Sequence, residues 1–172
     1  MNKSNQSITF KGNPTPVHGS QVSEGEKAPG FKLTGNDMAD VQLTDYDGKV
    51  LVLLSVPSVE TPVCQTETRR FNELATDLSD DIKVLAVSVD LPFAQKRWCG
   101  AEGIEAVKTA SDYKYRKFQE DYGVYASDLG LLARAVFVIG KDGNVKHVEY
   151  VGEIAEEPNY DAALEAAKGA LN

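Results

Sequence analysis

The sequence predicts an α/β fold in one domain over residues 1–172, a central mixed sheet flanked by helices, with an N-terminal β-hairpin extension over about residues 1–25. Three observations carry this. Val50–Val56 is a continuous apolar run, the pattern of a strand buried on both faces, and Ile82–Val89 reads as the next buried strand. The stretch between them has helical periodicity, and two buried strands joined by a helix imply a parallel βαβ unit. A third run, Ala133–Ile139, meets the tight-turn signal Lys141-Asp142-Gly143-Asn144 before Val145–Val151, which reads as an antiparallel hairpin. With 172 residues and 42% hydrophobic composition, the chain can bury one full core, and its size argues against two.

Taken in order, residues before Asp47-Gly48 are rich in Gly, Pro, Asn and Asp between short β-like pieces: Ser7–Lys11, Val17–Val22, Phe31–Thr34 and Val41–Leu43. Gly12-Asn13-Pro14 and Gly35-Asn36-Asp37 supply turn signals. After the strand at Val50–Val56, a helix is predicted from about Pro62 to Leu78, with Phe71, Leu74 and Leu78 on one stripe. Beyond Ile82–Val89 come a helix at Pro92–Glu102, a short strand near Val107–Thr109 and a helix near Tyr113–Tyr122. The closing helix carries Tyr160, Leu164, Ala167 and Leu171 on one face. A βαβ half followed by a ββα half is the order of a thioredoxin-like fold, which by itself specifies no activity.

Composition excludes several functions. Acids outnumber bases 26 to 18 for a formal charge of −8, so a phosphate backbone is repelled and no nucleic-acid partner is expected. The basic clusters Lys114-Tyr115-Arg116-Lys117 and Arg69-Arg70 are short, flanked by acids, and read as helix surface. The longest apolar run, Val50 to Pro57, is far short of the roughly 20 residues of a membrane span. Met1–Gln6 is polar and no apolar stretch follows, so the expectation is a cytoplasmic protein without a secretory signal. Two cysteines in a reducing compartment point to a transient, reactive disulfide more than to a permanent one. Zinc would need the scattered Cys64, Cys99, His18 and His147, without the close ligand pairs such sites use, so no metal and no cofactor are expected.

The informative segment is Pro57-Ser58-Val59-Glu60-Thr61-Pro62-Val63-Cys64. Thr61 suits an N-cap and Pro62 the first helical position, where its missing N–H costs nothing. Cys64 then falls in the first turn, facing free N–H groups and the positive end of the helix dipole. A free thiol is only about 3% ionised at pH 7. Helix N-termini and nearby cations raise that fraction, so Cys64 is expected to react as the thiolate. Arg69 and Arg70 project away from it on the helix. Arg134 is the better cation, because it interrupts an apolar run, Leu131–Val138, that should be interior. Its planar guanidinium can serve two partners at once. On local evidence Arg134 is equally a strand end paired with a surface acid, and Cys99 is equally core packing beside Trp98.

These residues resemble the peroxiredoxin superfamily, and within it the bacterial thiol peroxidases. Pro57-x-x-x-Thr61-x-x-Cys64 is similar to the P-x-x-x-T-x-x-C active-site loop. Further marks are Asp90-Leu91-Pro92-Phe93-Ala94-Gln95, Trp98-Cys99-Gly100-Ala101-Glu102-Gly103-Ile104, Leu132-Ala133-Arg134-Ala135-Val136, and Glu153-Ile154 with Glu157-Pro158-x-Tyr160. The chain departs from common family patterns at Gly30 in Ala28-Pro29-Gly30-Phe31 and at Trp98.

The resemblance implies a hydroperoxide substrate attacked by Cys64, which becomes a sulfenic acid. It implies that Thr61 orients peroxide and thiolate, that Arg134 stabilises thiolate and leaving oxygen, and that Pro57 shapes the loop and shields the sulfur. It further implies that Cys99 resolves the sulfenic acid as an intramolecular disulfide, that thioredoxin is the reductant, and that the protein is a homodimer. Two other readings are weighed against it. A dithiol oxidoreductase would show Cys-x-x-Cys, whereas Gln65-Thr66-Glu67 follows Cys64 and the next cysteine is Cys99. A non-enzymatic redox relay would share the first chemical step. Placing the cysteines on separate helices also predicts that a local segment unwinds before their sulfurs meet, the helix around Cys99 more readily because of Gly100 and Gly103.

Overall fold

The computed structural model of the chain describes residues 8–172. Ser7 of the first predicted strand and the polar segment Met1–Gln6 lie outside the described residues. The chain opens with a hairpin of β1 (Ile8–Phe10) and β2 (Asn13–Thr15). Phe10 pairs with Asn13, so Lys11-Gly12 is the two-residue turn, and both have positive φ (51° and 80°) as a primed hairpin turn requires. The predicted turn at Gly12-Asn13-Pro14 therefore sits too late in the sequence: Asn13 and Pro14 belong to an edge strand, where proline is tolerated.

Next come β3 (Val17–His18), β4 (Lys32–Gly35) and β5 (Asp40–Gln42), then a single 3-10 turn over Leu43–Tyr46. The βαβ half is β6 (Val50–Ser55), α1 (Pro62–Ala75), β7 (Ile82–Ser88), α2 (Pro92–Glu102) and β8 (Val107–Ser111). α3 (Phe118–Asp121) is much shorter than the helix expected over Tyr113–Tyr122. Arg116 adopts a left-handed φ of 56°, and the buried Asp112 carboxylate accepts from the Phe118 and Gln119 amides, so helix begins only there. β9 (Tyr125–Ala126) and β10 (Leu131–Leu132) are two-residue strands without a readable period. β11 (Ala135–Ile139), β12 (Val145–Tyr150) and α4 (Tyr160–Gly169) complete the chain.

A seven-stranded mixed sheet has the order β12-β11-β6-β7-β8-β4-β5. β6, β7 and β8 run parallel, while β11 is antiparallel to β6, and β12 to β11. This is the predicted α/β thioredoxin-like architecture. Side chains alternate across it. Val50, Val52 and Leu54 face α1, α2 and α4, together with Cys64, Phe71, Trp98, Cys99, Ala163 and Ala167. Leu51 and Leu53 face the opposite core, with Phe31, Phe118, Tyr122 and Phe137. Both cysteines thus lie on one side of the sheet, Cys64 just beyond the end of β6 and Cys99 on α2 over the middle of β8. Among the described residues no helix is long and apolar enough to cross a membrane.

Candidate active site

β6 ends in a buried turn at Val56-Pro57 and leads into α1. Thr61 caps that helix, its Oγ1 accepting from the Cys64 amide at 3.3 Å and donating to the Ser58 carbonyl at 3.1 Å, with Pro62 in the first turn. Cys64 lands on the buried face and is 0% exposed.

Arg134 lies not inside a strand, as its sequence context suggested, but in the step between β10 and β11. These belong to two different sheets. The backbone there is fixed on both sides: Ala133 N–H donates to Val124 O at 2.7 Å, Ser55 Oγ to Ala133 O at 2.8 Å, and Val151 N–H to Arg134 O at 3.0 Å. The side chain, 1% exposed, spends its donors on three groups. Nε donates to Ile154 O at 2.9 Å, Nη2 to Cys64 Sγ at 3.1 Å, and Nη1 forms a short contact with Glu67 Oε2. Of the two readings left open for Arg134, the surface acid is absent: its carboxylate partner is the buried Glu67.

Glu67 was missed in the sequence, although a signal existed. The apolar stripe through Phe71 runs back along α1 to Glu67 and Cys64, and an acid on such a stripe needs a cation. Glu67 is 0% exposed, and burial pushes its carboxyl up against the opposing pull of Arg134.

A cavity of about 350 Å3 opens beside this cluster, lined by Phe10, Lys11, Pro57, Thr61, Pro62, Val63, Leu129, Leu131, Arg134, Ile154 and Ala155. Its walls are almost wholly apolar apart from Thr61, Lys11 and Arg134. A molecule seated there meets the two groups that touch Cys64. A larger cavity of about 530 Å3, lined by Lys27, Tyr46, Lys49, Ile139 and Gly143 among others, lies at the far ends of β6 and β11 and contains no cysteine.

The hairpin contributes one wall of the smaller cavity, and Glu153 holds it there. The Glu153 carboxylate accepts from Thr9 Oγ1, from the Lys11 amide at 2.8 Å, the Gly12 amide at 3.1 Å and the Ala155 amide at 3.1 Å. The Thr9 hydroxyl, then the Gly12 amide, hold its carboxyl down at about 2, from an ordinary 4.5. A depressed carboxyl contributes above its unfolded value and loses that contribution as pH falls through the folded one. The clamp is therefore complete above pH 4.5 and released towards pH 2. Ile154 joins the two features, since its N–H donates to Thr9 O at 2.9 Å and its carbonyl accepts from Arg134.

Cys99 sits elsewhere, on α2, with its Sγ 3.7 Å from Thr109 Oγ1, and both cysteines are free. Burial pushes the Cys99 thiol up, opposed by the Thr109 hydroxyl, so it stays neutral while α2 is folded. Asp90 ties this helix's start to the Cys64 loop, accepting from Ser58 Oγ at 2.8 Å, the Val59 amide at 2.9 Å and Ser88 Oγ at 2.7 Å. Two exposed ion pairs, Arg97–Glu60 at 3.0 Å and Arg69–Glu102 at 2.7 Å, add a weak hold. Leu91 and Phe93, at its first turn, are 53% and 65% exposed. Of the two glycines expected to weaken α2, only Gly100 is interior; Gly103 is the C-cap, in the left-handed conformation (φ 66°) that ends a helix favourably.

A model of the Redoxin family matches residues 23–164. The chain is 53% identical over 165 residues to a thiol peroxidase of Halalkalibacterium halodurans, covering 96% of this chain and 99% of that one. It is 48% identical over 161 residues to a thiol peroxidase of Bacillus subtilis, covering 94% and 96%. Among solved structures, a peroxiredoxin-like protein from Aquifex aeolicus superposes with a TM-score of 0.90 at 40% identity over 99% of both chains. A thiol peroxidase from Chromobacterium violaceum shares the fold, with a TM-score of 0.86 at 19% identity over 96% of this chain and 97% of that one.

Proposed function

The chain belongs to the Redoxin family, in the group of bacterial thiol peroxidases, and from that membership we propose that Cys64 carries its peroxidase chemistry, with Cys99 as disulfide partner. The observation that supports this best is the sulfur of a first-turn cysteine 3.1 Å from the guanidinium of a buried arginine. The positive end of α1 and the Arg134 guanidinium face the sulfur, and the same arginine borders the cavity through which a hydroperoxide approaches. The thiolate attacks the terminal oxygen of ROOH. The S–O bond forms, the O–O bond breaks, and RO⁻ leaves to be protonated, giving Cys64 sulfenic acid and ROH. Thr61 orients peroxide and sulfur, and Pro57 keeps water from them. Cys99 then attacks the sulfenic sulfur, releasing water and forming the disulfide, which a dithiol of the thioredoxin kind reduces. Hydrogen peroxide and organic hydroperoxides are both substrates. The enzyme works as one domain over residues 1–172, as a cytoplasmic homodimer without metal or cofactor.

Peroxide consumption coupled to thioredoxin and its reductase tests this reading. Continuous turnover, limited only by reductant, is the expected result. Oxidation that stops at one equivalent per chain, with intact thioredoxin present, would instead mark a relay that hands oxidation to another protein.

Disulfide formation is expected to need a local rearrangement of α2, for Cys99 has Thr109 as its neighbour and Cys64 has Arg134. Segment Gln95–Gly103 is expected to unwind, since Gly100 lies inside it, two of its ties are exposed ion pairs and Phe93 at the start of α2 is exposed. The buried Gln95 side chain, donating to Ser88 Oγ and Ala110 O at 2.9 Å, must then let go. Hydrogen exchange on reduced and oxidised protein should show protection lost there and kept in β6 and β7. Equal protection in both states, with the disulfide confirmed by mass, would refute it.

A further inference from the structure

Cys64, Glu67 and Arg134 make a buried cluster in which one permanent cation faces two groups able to carry negative charge. All three are at most 1% exposed. Arg134 supplies one donor to the sulfur and another to Glu67 Oε2, while Glu67 Oε1 is buried with no hydrogen-bond partner. Two anions on one cation would leave an uncompensated charge away from water, which such sites avoid by keeping a proton. The other groups facing Glu67 do not relieve the excess. Tyr160 of α4 packs on Phe71 and donates its hydroxyl to Glu157, and Glu157 and Glu149 add negative charge from the loop before α4 and from β12.

We propose that Cys64 and Glu67 share one proton beneath Arg134, and that Glu67 holds it whenever Cys64 is the nucleophile. The inference rests on the assignment of Cys64 as the reactive thiol. The step is a transfer within the cluster: Cys64–SH and Glu67 carboxylate become Cys64 thiolate and Glu67 carboxylic acid, with charge unchanged. Attack on ROOH then neutralises the sulfur. The balance closes when Glu67 releases its proton as the sulfur is neutralised and the departing RO⁻ takes one up in the cavity: in sum, thiolate, ROOH and carboxylic acid yield sulfenic acid, ROH and carboxylate. Arg134 thus exchanges one anionic partner for another and is never left without one. The upward push of burial on the Glu67 carboxyl is in the direction this requires.

Infrared difference spectroscopy on the full chain reads this directly and needs no turnover. In Cys99→Ser at pH 7, subtraction of Cys99→Ser/Glu67→Gln should reveal the C=O stretch of a protonated carboxyl. The same band should be lost in Cys99→Ser/Cys64→Ser, where no thiolate remains and Glu67 must ionise to match Arg134. Absence of the band in Cys99→Ser would overturn the proposal, and so would a band that survives loss of the thiol. If Glu67→Gln fails to fold, the Cys64→Ser arm decides alone. Failure of peroxidase turnover would contradict the functional assignment without touching these spectra, so the two can be told apart.

Discussion

Cys64→Ser is expected to abolish peroxide consumption, by about 10³-fold or more, because an alcohol in that position has no accessible anion to attack with. Cys99→Ser is expected to behave differently. It should consume one equivalent of peroxide per chain at close to the native rate and then stop, with Cys64 held as sulfenic acid and open to trapping by a dimedone-type reagent. The asymmetry follows from the structure: Cys64 lies with Arg134 beside the cavity, whereas Cys99 is packed under α2. Rapid peroxide kinetics with mass analysis separates the outcomes. Full turnover by Cys99→Ser would remove that residue from the cycle, and a single equivalent consumed by Cys64→Ser would assign the attack to Cys99.

Arg134→Lys should lower kcat/KM for hydroperoxide by about 10²–10³-fold, the usual cost of losing a pre-aimed donor to a developing anion. Positive charge is kept in this variant, but an ammonium cannot serve Ile154 O, Glu67 and Cys64 from one planar group. Denaturant unfolding must accompany the kinetics, because disturbing a buried ion pair costs about 3–5 kcal/mol when one partner is stranded. A rate loss persisting at temperatures and denaturant levels where the variant is fully folded is the expected pattern. Near-native kinetics would make the arginine a structural counter-ion to Glu67 alone.

The βαβ half was legible because its signals are dense and local. Thr61 and Pro62 mark the start of α1, Pro92 opens α2, and the apolar runs have the length of buried strands. The short pieces were not, since β9 and β10 exist only through pairing with β3 and with each other. The same holds for α3, shortened by the Asp112 cap and the left-handed Arg116. At the site, Cys64 and Thr61 could be read from capping chemistry, and Arg134 from its mismatch with an apolar run. Where Arg134 would find its carboxylate could not, because α1 and residue 134 are brought together only by the pairing of β6 with β11. Even so, Glu67 shares a helix face with Cys64.

The hairpin at the start of the chain has a consequence for how this protein can diversify. The sulfur and its cap are held by α1 and the central sheet, but one side of the entrance is Phe10 and Lys11, on a hairpin seated by the buried Ile8, by backbone bonds of Thr9 to Gly152 and Ile154, and by the carboxylate of Glu153. On the proposed assignment, lengthening, shortening or re-aiming two short strands would alter which hydroperoxide fits while leaving Cys64 and Thr61 where α1 has put them, and Ile154, bonded to both Thr9 and Arg134, is where the inheritance of selectivity and that of reactivity meet.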